Sequence, residues 1–324
     1  MPELARVAVV FNQVYFSEFS EQCALHLAKA GFHTEVLHEI PAGQEYEAVL
    51  VVGIHEYPSI PFMRDVVMLG VQTEQLPLGE HHAGRISRNL RRFHSVRGYY
   101  QCIFDWNPGL HEAGIGGEVF IPYGCSNRET TSFSKTHDLV FIGNVGGSPR
   151  RQELLESLGR KYTVYPDFSP GFGSRLDEAI GSSKICLNIH FYEDCGFESP
   201  RVFDYLSRGA FVLSEHALST SPFLVGRDLQ DFSDGEELFE KIEHFLQNES
   251  ERNQIAARGR LTAMEHSFET TSRILAREFL NVLNRRSSVT KRHFAWARAR
   301  VRSGYFAARD HISLKRRRMG TSWR

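Results

Sequence analysis

The chain has few cysteines and no pattern among them. Cys23, Cys102, Cys125, Cys186 and Cys195 are odd in number and scattered over 324 residues, with no C-x-x-C pair. Such spacing argues against a disulfide framework and a zinc site, and it fits a reducing cytosol. Long apolar runs are missing as well. No stretch approaches the ~20 residues of a membrane span. Met1-Pro-Glu-Leu-Ala-Arg-Val carries no basic segment followed by a long apolar one, so no signal peptide is expected and the expected compartment is the cytoplasm. Fifteen histidines include the pair His81-His82, yet none has the spacing of a metal-ligand motif, so no metal site is expected. Neither G-x-G-x-x-G nor G-x-x-x-x-G-K-[ST] occurs, which removes a dinucleotide fingerprint and a P-loop.

What is there is a globular composition, 41% apolar and 24% charged, long enough for two domains with separate cores. A net charge of −1 hides an asymmetry. Residues 287–324 hold eleven lysines and arginines against one acid, Asp310, a surplus of ten that leaves −11 for residues 1–286. In this tail Phe294, Ala297, Val301, Tyr305, Ala308 and Ile312 recur at helical spacing, with arginines on other faces. A basic amphipathic helix over 291–318 suits an anionic membrane surface or an anionic glycan; a solvated, unordered tail is the other reading.

Short apolar strands alternate with helical segments along the body. Strands are expected at Arg6–Phe11, Thr34–Leu37, Ala48–Val52, Val66–Val71, Gln101–Phe104 and Glu118–Ile121, with a helix over Ser17–Ala30. A polar stretch, Ser126–Lys135, then reads as a linker. A second α/β unit opens with strand Asp138–Ile142, a glycine loop and a helix starting at Pro149. Helices over Ser174–Gly181, Glu236–Gln247, Glu249–His266 and Glu269–Leu283 complete it. The expected fold class is α/β with two Rossmann-like domains, 1–125 and 137–286, a C-terminal helix, and the basic tail 287–324.

Two constellations stand at strand ends. Gly143-Asn144-Val-Gly146-Gly147-Ser-Pro-Arg150-Arg151 follows a strand and opens a helix, an arrangement in which loop amides, a helix N-terminus and arginines can meet a phosphate. The segment Lys184 to Glu215 reads as strand, polar loop, short helix and second strand. His190 ends the first strand, and Glu198, Arg201 and Asp204 recur every three residues around a helix beginning near Pro200. His55-Glu56 stands after a strand in the first domain and makes His55 a candidate general base.

The segment 184–215 resembles the donor-binding region of group 1 glycosyltransferases, which have two facing Rossmann-like domains (GT-B). It is most similar to the branch that includes spore-maturation-type glycosyltransferases. Asp204-Tyr-Leu-Ser-Arg-Gly209 resembles that family's "E-A-L-x-x-G", with Asp for Glu. Asp138 to Gly143 followed by Arg150-Arg151-Gln-Glu-Leu-Leu resembles its glycine and double-arginine element. Gln72-Thr-Glu74-Gln75-Leu76 resembles "E-Q-L", and Phe104-Asp105-Trp-Asn107 resembles "D-Y-S-x-x-N".

The resemblance implies transfer of a sugar from a nucleotide-diphosphate donor to a glycan, lipid-linked or protein acceptor, with no cofactor and no metal. Gly143, Asn144, Gly146, Gly147, Arg150, Arg151, His190, Arg201 and Asp204 would face the donor, Asp204 at its ribose. Glu74, Asp105 and Asn107 would lie on the acceptor side. Group 1 retaining enzymes carry an acid eight residues before the second acidic position. Here Gly196 stands there, which leaves Glu198, with Glu193 as rival, for the catalytic carboxylate. That departure keeps a second reading open, a catalytically silent scaffold that binds sugar nucleotides or partners. A nucleic-acid-binding protein acting through the tail is the weaker reading, because the body has no basic stripe with interleaved aromatics.

Overall fold

The computed structural model describes residues 5–42, 45–74, 76, 85–126, 133–191, 196–284 and 291–305. Gln75, His81, His82, Glu193, Cys195, Ala308 and Ile312 lie outside the described residues, and so does most of the expected linker. The chain divides into two compact units. One comprises Met1–Trp106, Leu110–Ile121 and Ser272–Arg324, the other Asn107–Gly109 and Pro122–Thr271.

The first unit is built on strands β1 (Arg6–Val10), β2 (His33–Leu37), β3 (Ala48–Val52), β4 (Val67–Gln72), β5 (Cys102–Asp105) and β6 (Val119–Phe120), with helices α1 (Ser17–Lys29), α2 (Arg85–Val96) and α3 (Pro108–Glu112) between them. All six strands are parallel, in the order β2-β1-β3-β4-β5-β6. β3 and β4, Ala-Val-Leu-Val-Val and Val-Met-Leu-Gly-Val-Gln, are buried at every position. Unbroken apolar runs are what a parallel sheet covered on both faces requires. After β3 the chain turns at Gly53, where φ is +77° and a Cβ would lie 2.5 Å from Phe16, so only glycine fits. That turn presents His55.

The second unit holds β7 (His137–Phe141), α4 (Pro149–Gly159), α5 (Ser174–Gly181), β8 (Ser183–Asn188), α6 (Ser199–Ser207), β9 (Val212–Glu215), β10 (Gln230–Phe232), α7 (Gly235–Gln247) and α8 (Glu249–Glu265). Its sheet is parallel in the order β10-β9-β8-β7. Between α4 and α5 the chain touches this sheet at one bridge, Leu139 with Val164. Leu139, Phe141, Ile185, Leu187 and Leu213 of the sheet pack against Leu155, Leu158, Leu238, Ile242 and Ile255 of the helices.

α9 (Phe268–Asn284) starts in the second unit and runs in the first from Ser272. Residues 291–305 form a further helix of the first unit. Trp296 donates to the Ile60 carbonyl at 2.6 Å and Ala299 is buried in the first core. The apolar stripe expected at Phe294, Val301 and Tyr305 faces the other way and is exposed. The alanine-rich side packs because small residues allow a close approach to Gly98, where a Cβ would meet the Ala295 carbonyl at 2.8 Å.

Candidate functional site

In each unit charged side chains collect at the carboxyl ends of the parallel strands, where such sheets bind ligands. In the second unit β7, β8 and β9 each deliver part of the cluster. β7 leads into Ile142 and Gly143, β8 into Ile189 and His190, and β9 ends on Glu215. Ser148 caps α4 through its side chain, with Pro149 in the first turn. Arg150 and Arg151 therefore stand in the first turn of that helix.

Arg151 is 2% exposed. Its guanidinium donates to the Ile189 carbonyl at 2.5 and 3.0 Å, to the Asn144 carbonyl at 3.0 Å and to Glu198 Oε1 at 2.5 Å. It lies against the rings of Phe141 and Phe191, 5.1 Å from each centroid. Arg201 comes in from α6. It pairs with Glu198, donates to the Ile142 carbonyl at 2.6 Å and Asn188 Oδ1 at 2.7 Å, and also covers Phe141. A Cβ at Gly143 would meet this guanidinium at 2.7 Å. The glycine there makes room for Arg201, a different reason from the phosphate approach read in the sequence. Arg150 bonds Glu215 and the His190 carbonyl, and Glu215 Oε2 accepts from the His190 amide at 2.9 Å.

Three guanidiniums against two carboxylates leave one positive charge in a mostly buried cluster. Burial works against the Glu198 carboxylate, but Arg201 and Arg151 outweigh it and hold its pKa below the usual range. Burial lowers Arg151 to about 10 despite Glu198. His190, 1% exposed, is driven to about 4 by burial, opposed by Glu198 and reinforced by Arg201, Arg151 and Arg150. It is neutral, with Nε2 buried and unpartnered.

The expected donor residues thus meet in one place, except Asp204. That residue lies in the second half of α6 and pairs with Arg208 Nη1 at 2.9 Å, while Arg208 Nε bonds Asp177 at 2.8 Å. Asn144 contributes a backbone carbonyl, and Gly146 and Gly147 complete the loop ahead of the α4 cap. Glu215 was not among the sequence candidates. A charged residue closing the apolar run Ala210 to Leu213 was its signal. Asn188 had none.

In the first unit His55 and Glu74, singled out separately, come together. His55 Nε2 is 3.0 Å from Glu56 Oε1 and 3.1 Å from Glu74 Oε1, and Asn89 Nδ2 donates to Glu74 Oε2 at 3.0 Å. Burial would lower the His55 pKa, yet the two glutamates raise it to about 9. At neutral pH it holds its proton, so the geometry suits a cation and not the base expected from the sequence. Asp105 is buried in its own turn and accepts from the Gly117 amide at 2.8 Å. Asn107 belongs to the second unit, where its Nδ2 donates to the Phe197 carbonyl at 3.4 Å.

These sheets define a class, the GT-B glycosyltransferase fold, and comparison with known proteins agrees. Residues 150–281 match the family model described as "Glycosyl transferase-like". Sucrose-phosphate synthase (tll1590) from Thermosynechococcus elongatus has a similar structure, with a TM-score of 0.63 at 10% identity over 87% of this chain and 100% of that one. Anabaena Alr3699/HepE in complex with UDP and glucose gives 0.58 at 12% identity, over 86% and 100%. AviGT4, a glycosyltransferase involved in avilamycin A biosynthesis, gives 0.60 at 11% identity, over 87% and 99%. No curated protein sequence matches. The matched model covers residues 150–281, less than half of the chain, and the solved structures share its fold.

Proposed function

We propose that the second unit holds a nucleoside-diphosphate sugar and that the protein transfers its sugar to a hydroxyl of a glycan, lipid-linked or protein acceptor. The observation that carries this reading is the residual positive charge beside the α4 N-terminus, built from Arg150, Arg151 and Arg201 against Glu198 and Glu215. In the transfer the bond from the anomeric carbon to the diphosphate oxygen breaks, the acceptor oxygen bonds that carbon, and the hydroxyl proton passes to the departing diphosphate. Charge then grows on the departing diphosphate, where fixed cations and a helix N-terminus stabilise it. Arg150 is the most exposed of the three arginines and reaches a ligand by releasing Glu215. Arg151 acts through Glu198 and the loop. With this charge supplied by arginines, transfer proceeds without a metal. On the first unit, Glu56 and Glu74 offer carboxylates to acceptor hydroxyls around the His55 cation.

A thermal-shift screen with UDP, GDP, dTDP and CMP sugars tests the reading, since a ligand at 100 times its Kd stabilises by about 2.7 kcal/mol. Binding should survive EDTA and fall about tenfold or more in Arg150→Ala. No shift with any of the four would defeat it. The silent-scaffold alternative draws on Glu198 being held by two arginines, and donor hydrolysis by the full chain separates the two.

The reading extends to location. Among the described residues no helix is long and apolar enough to cross a membrane. The 291–305 helix exposes Phe294, Val301 and Tyr305 beside Lys291, Arg298 and Arg302 and has no acid. That face suits a cytoplasmic protein resting on an anionic bilayer. Co-sedimentation with vesicles containing phosphatidylserine, lost in Phe294→Ser/Val301→Ser, is the expected result; equal binding to neutral vesicles would contradict it.

A further inference from the structure

The chain leaves the first unit at Asn107 and returns at Leu110, so Asn107–Gly109 packs within the second. Asn107 is buried, and Gly196 lies directly against it. The φ of Gly196 is outside the left-handed region, so conformational freedom does not explain a glycine there. Space does. A Cβ at 196 would stand 1.6 Å from Asn107 Nδ2 and 2.4 Å from its Cγ. No van der Waals contact tolerates that, so Asn107 fills the volume that any side chain at 196 would need.

The contact is transmitted over a short, tight path. Asn107 donates to the Phe197 carbonyl, and Phe197 and Ser199 are each 2% exposed. Between them Glu198 stands at the N-terminal end of α6, and its side chain accepts from Arg151, Arg201 and the Phe191 amide. Moving the backbone at 196 therefore moves the carboxylate on which two of the three arginines converge. On its other side Asn107 leads into Gly109, which packs against Leu218 and Ser219. The amide is held from both directions.

We propose that Asn107 is a positioning residue of the donor site. Through Gly196 it sets where Glu198 stands, and hence how the Arg151 and Arg201 guanidiniums are held behind the donor diphosphate. The assignment rests on the donor reading above and moves Asn107 from the acceptor side, where its sequence context put it, to the donor side.

A double-mutant cycle in the full chain tests it, with UDP and GDP affinity measured by calorimetry and unfolding followed by temperature. Gly196→Ala with Asn107 intact should weaken diphosphate binding about tenfold or more. Asn107→Ala should weaken it less. The pair Asn107→Ala/Gly196→Ala should bind within about threefold of Asn107→Ala alone, because the added Cβ then has room. That rescue is the supporting result. Unchanged affinity in Gly196→Ala with a lowered Tm makes the contact packing alone and overturns the assignment while leaving the donor reading intact. Strictly additive losses also overturn it. If Gly196→Ala fails to fold, Asn107→Ala decides: weaker binding at an unchanged Tm supports the role, and unchanged binding ends it. If the unaltered protein binds neither UDP nor GDP, this assignment falls, and failure of the full sugar-nucleotide screen takes the donor reading with it.

Discussion

His55 and His190 occupy equivalent places, each just beyond the carboxyl end of a buried parallel strand, and they carry opposite charge states. His55 stands between Glu56 and Glu74 and is an imidazolium at neutral pH, with its pKa raised to about 9. His190 stands among three arginines, fully buried and neutral, with its pKa lowered to about 4. Burial acts in the same direction on both, so the neighbours decide. A parallel sheet supplies the same location twice; the charge that each unit offers a ligand is chosen by the side chains converging from other elements.

Breaking the buried pair in the second unit should show the largest effect. Arg151→Ala leaves Glu198 buried with one partner fewer and takes away the hydrogen bonds that Arg151 gives the Ile189 and Asn144 carbonyls. Loss of one member of a buried pair costs about 3–5 kcal/mol. Arg150→Ala, at a partly exposed pair, should cost under about 1 kcal/mol. Urea unfolding of the two variants distinguishes them, and equal losses would contradict the division of roles.

Stability should depend on pH with opposite sign in the two units. His55 has a raised folded pKa, so its contribution is complete below about 6.5 and is lost as pH rises toward about 9. His190 has a lowered one, so unfolding gains protons and stability is lost as pH falls from about 6.5 toward about 4. Each change is on the order of 3 kcal/mol. NMR titration of the two rings reads both; a common pKa would erase the contrast.

Glu74→Gln should bring the His55 pKa down by about one unit, roughly 1.4 kcal/mol, by removing one of two carboxylates. It should leave His190 unchanged. Movement of both rings would mean that the clusters are not independent. The smallest effect is expected at Val301, 74% exposed on the 291–305 helix: Val301→Ser should change stability by about 0.5 kcal/mol or less. Ala299→Asp, on the buried side of the same helix, should unfold it.

Much of the architecture was legible. α5 was expected at Ser174–Gly181 and is there; β3 matches Ala48–Val52, α4 starts at Pro149 as expected, and α1, α7, α8 and α9 lie within two residues of their expected ends. Periodicity, Pro149 and the polar caps carry that information locally. β10 escaped, because three residues, Gln230–Phe232, give no periodic signal. In the tail Phe294, Val301 and Tyr305 stood out by their spacing and are exposed; the side that packs, with Ala295 and Ala299 close to Gly98, had no such signal, because small residues form no apolar stripe.

For the candidate site, the residue types and their strand-end positions could be read from the chain, because parallel strands and helix N-termini place loops where ligands bind. Which arginine stays at the surface could not. Arg150 and Arg151 are neighbours in sequence, yet a 100° step along α4 sends Arg151 into the core under Glu198 and leaves Arg150 at the surface with Glu215. The resemblance set Asp204 at the donor ribose, and in the fold it pairs with Arg208. The order of strands, the sequence of helices and the presence of charge at the strand ends are local properties, written in periodicity and residue type. The protonation of His55 and His190, the burial of Arg151 and the fit of Asn107 on Gly196 depend on residues as far as 89 positions apart, and only folding brings them within the few ångströms over which charge and volume act.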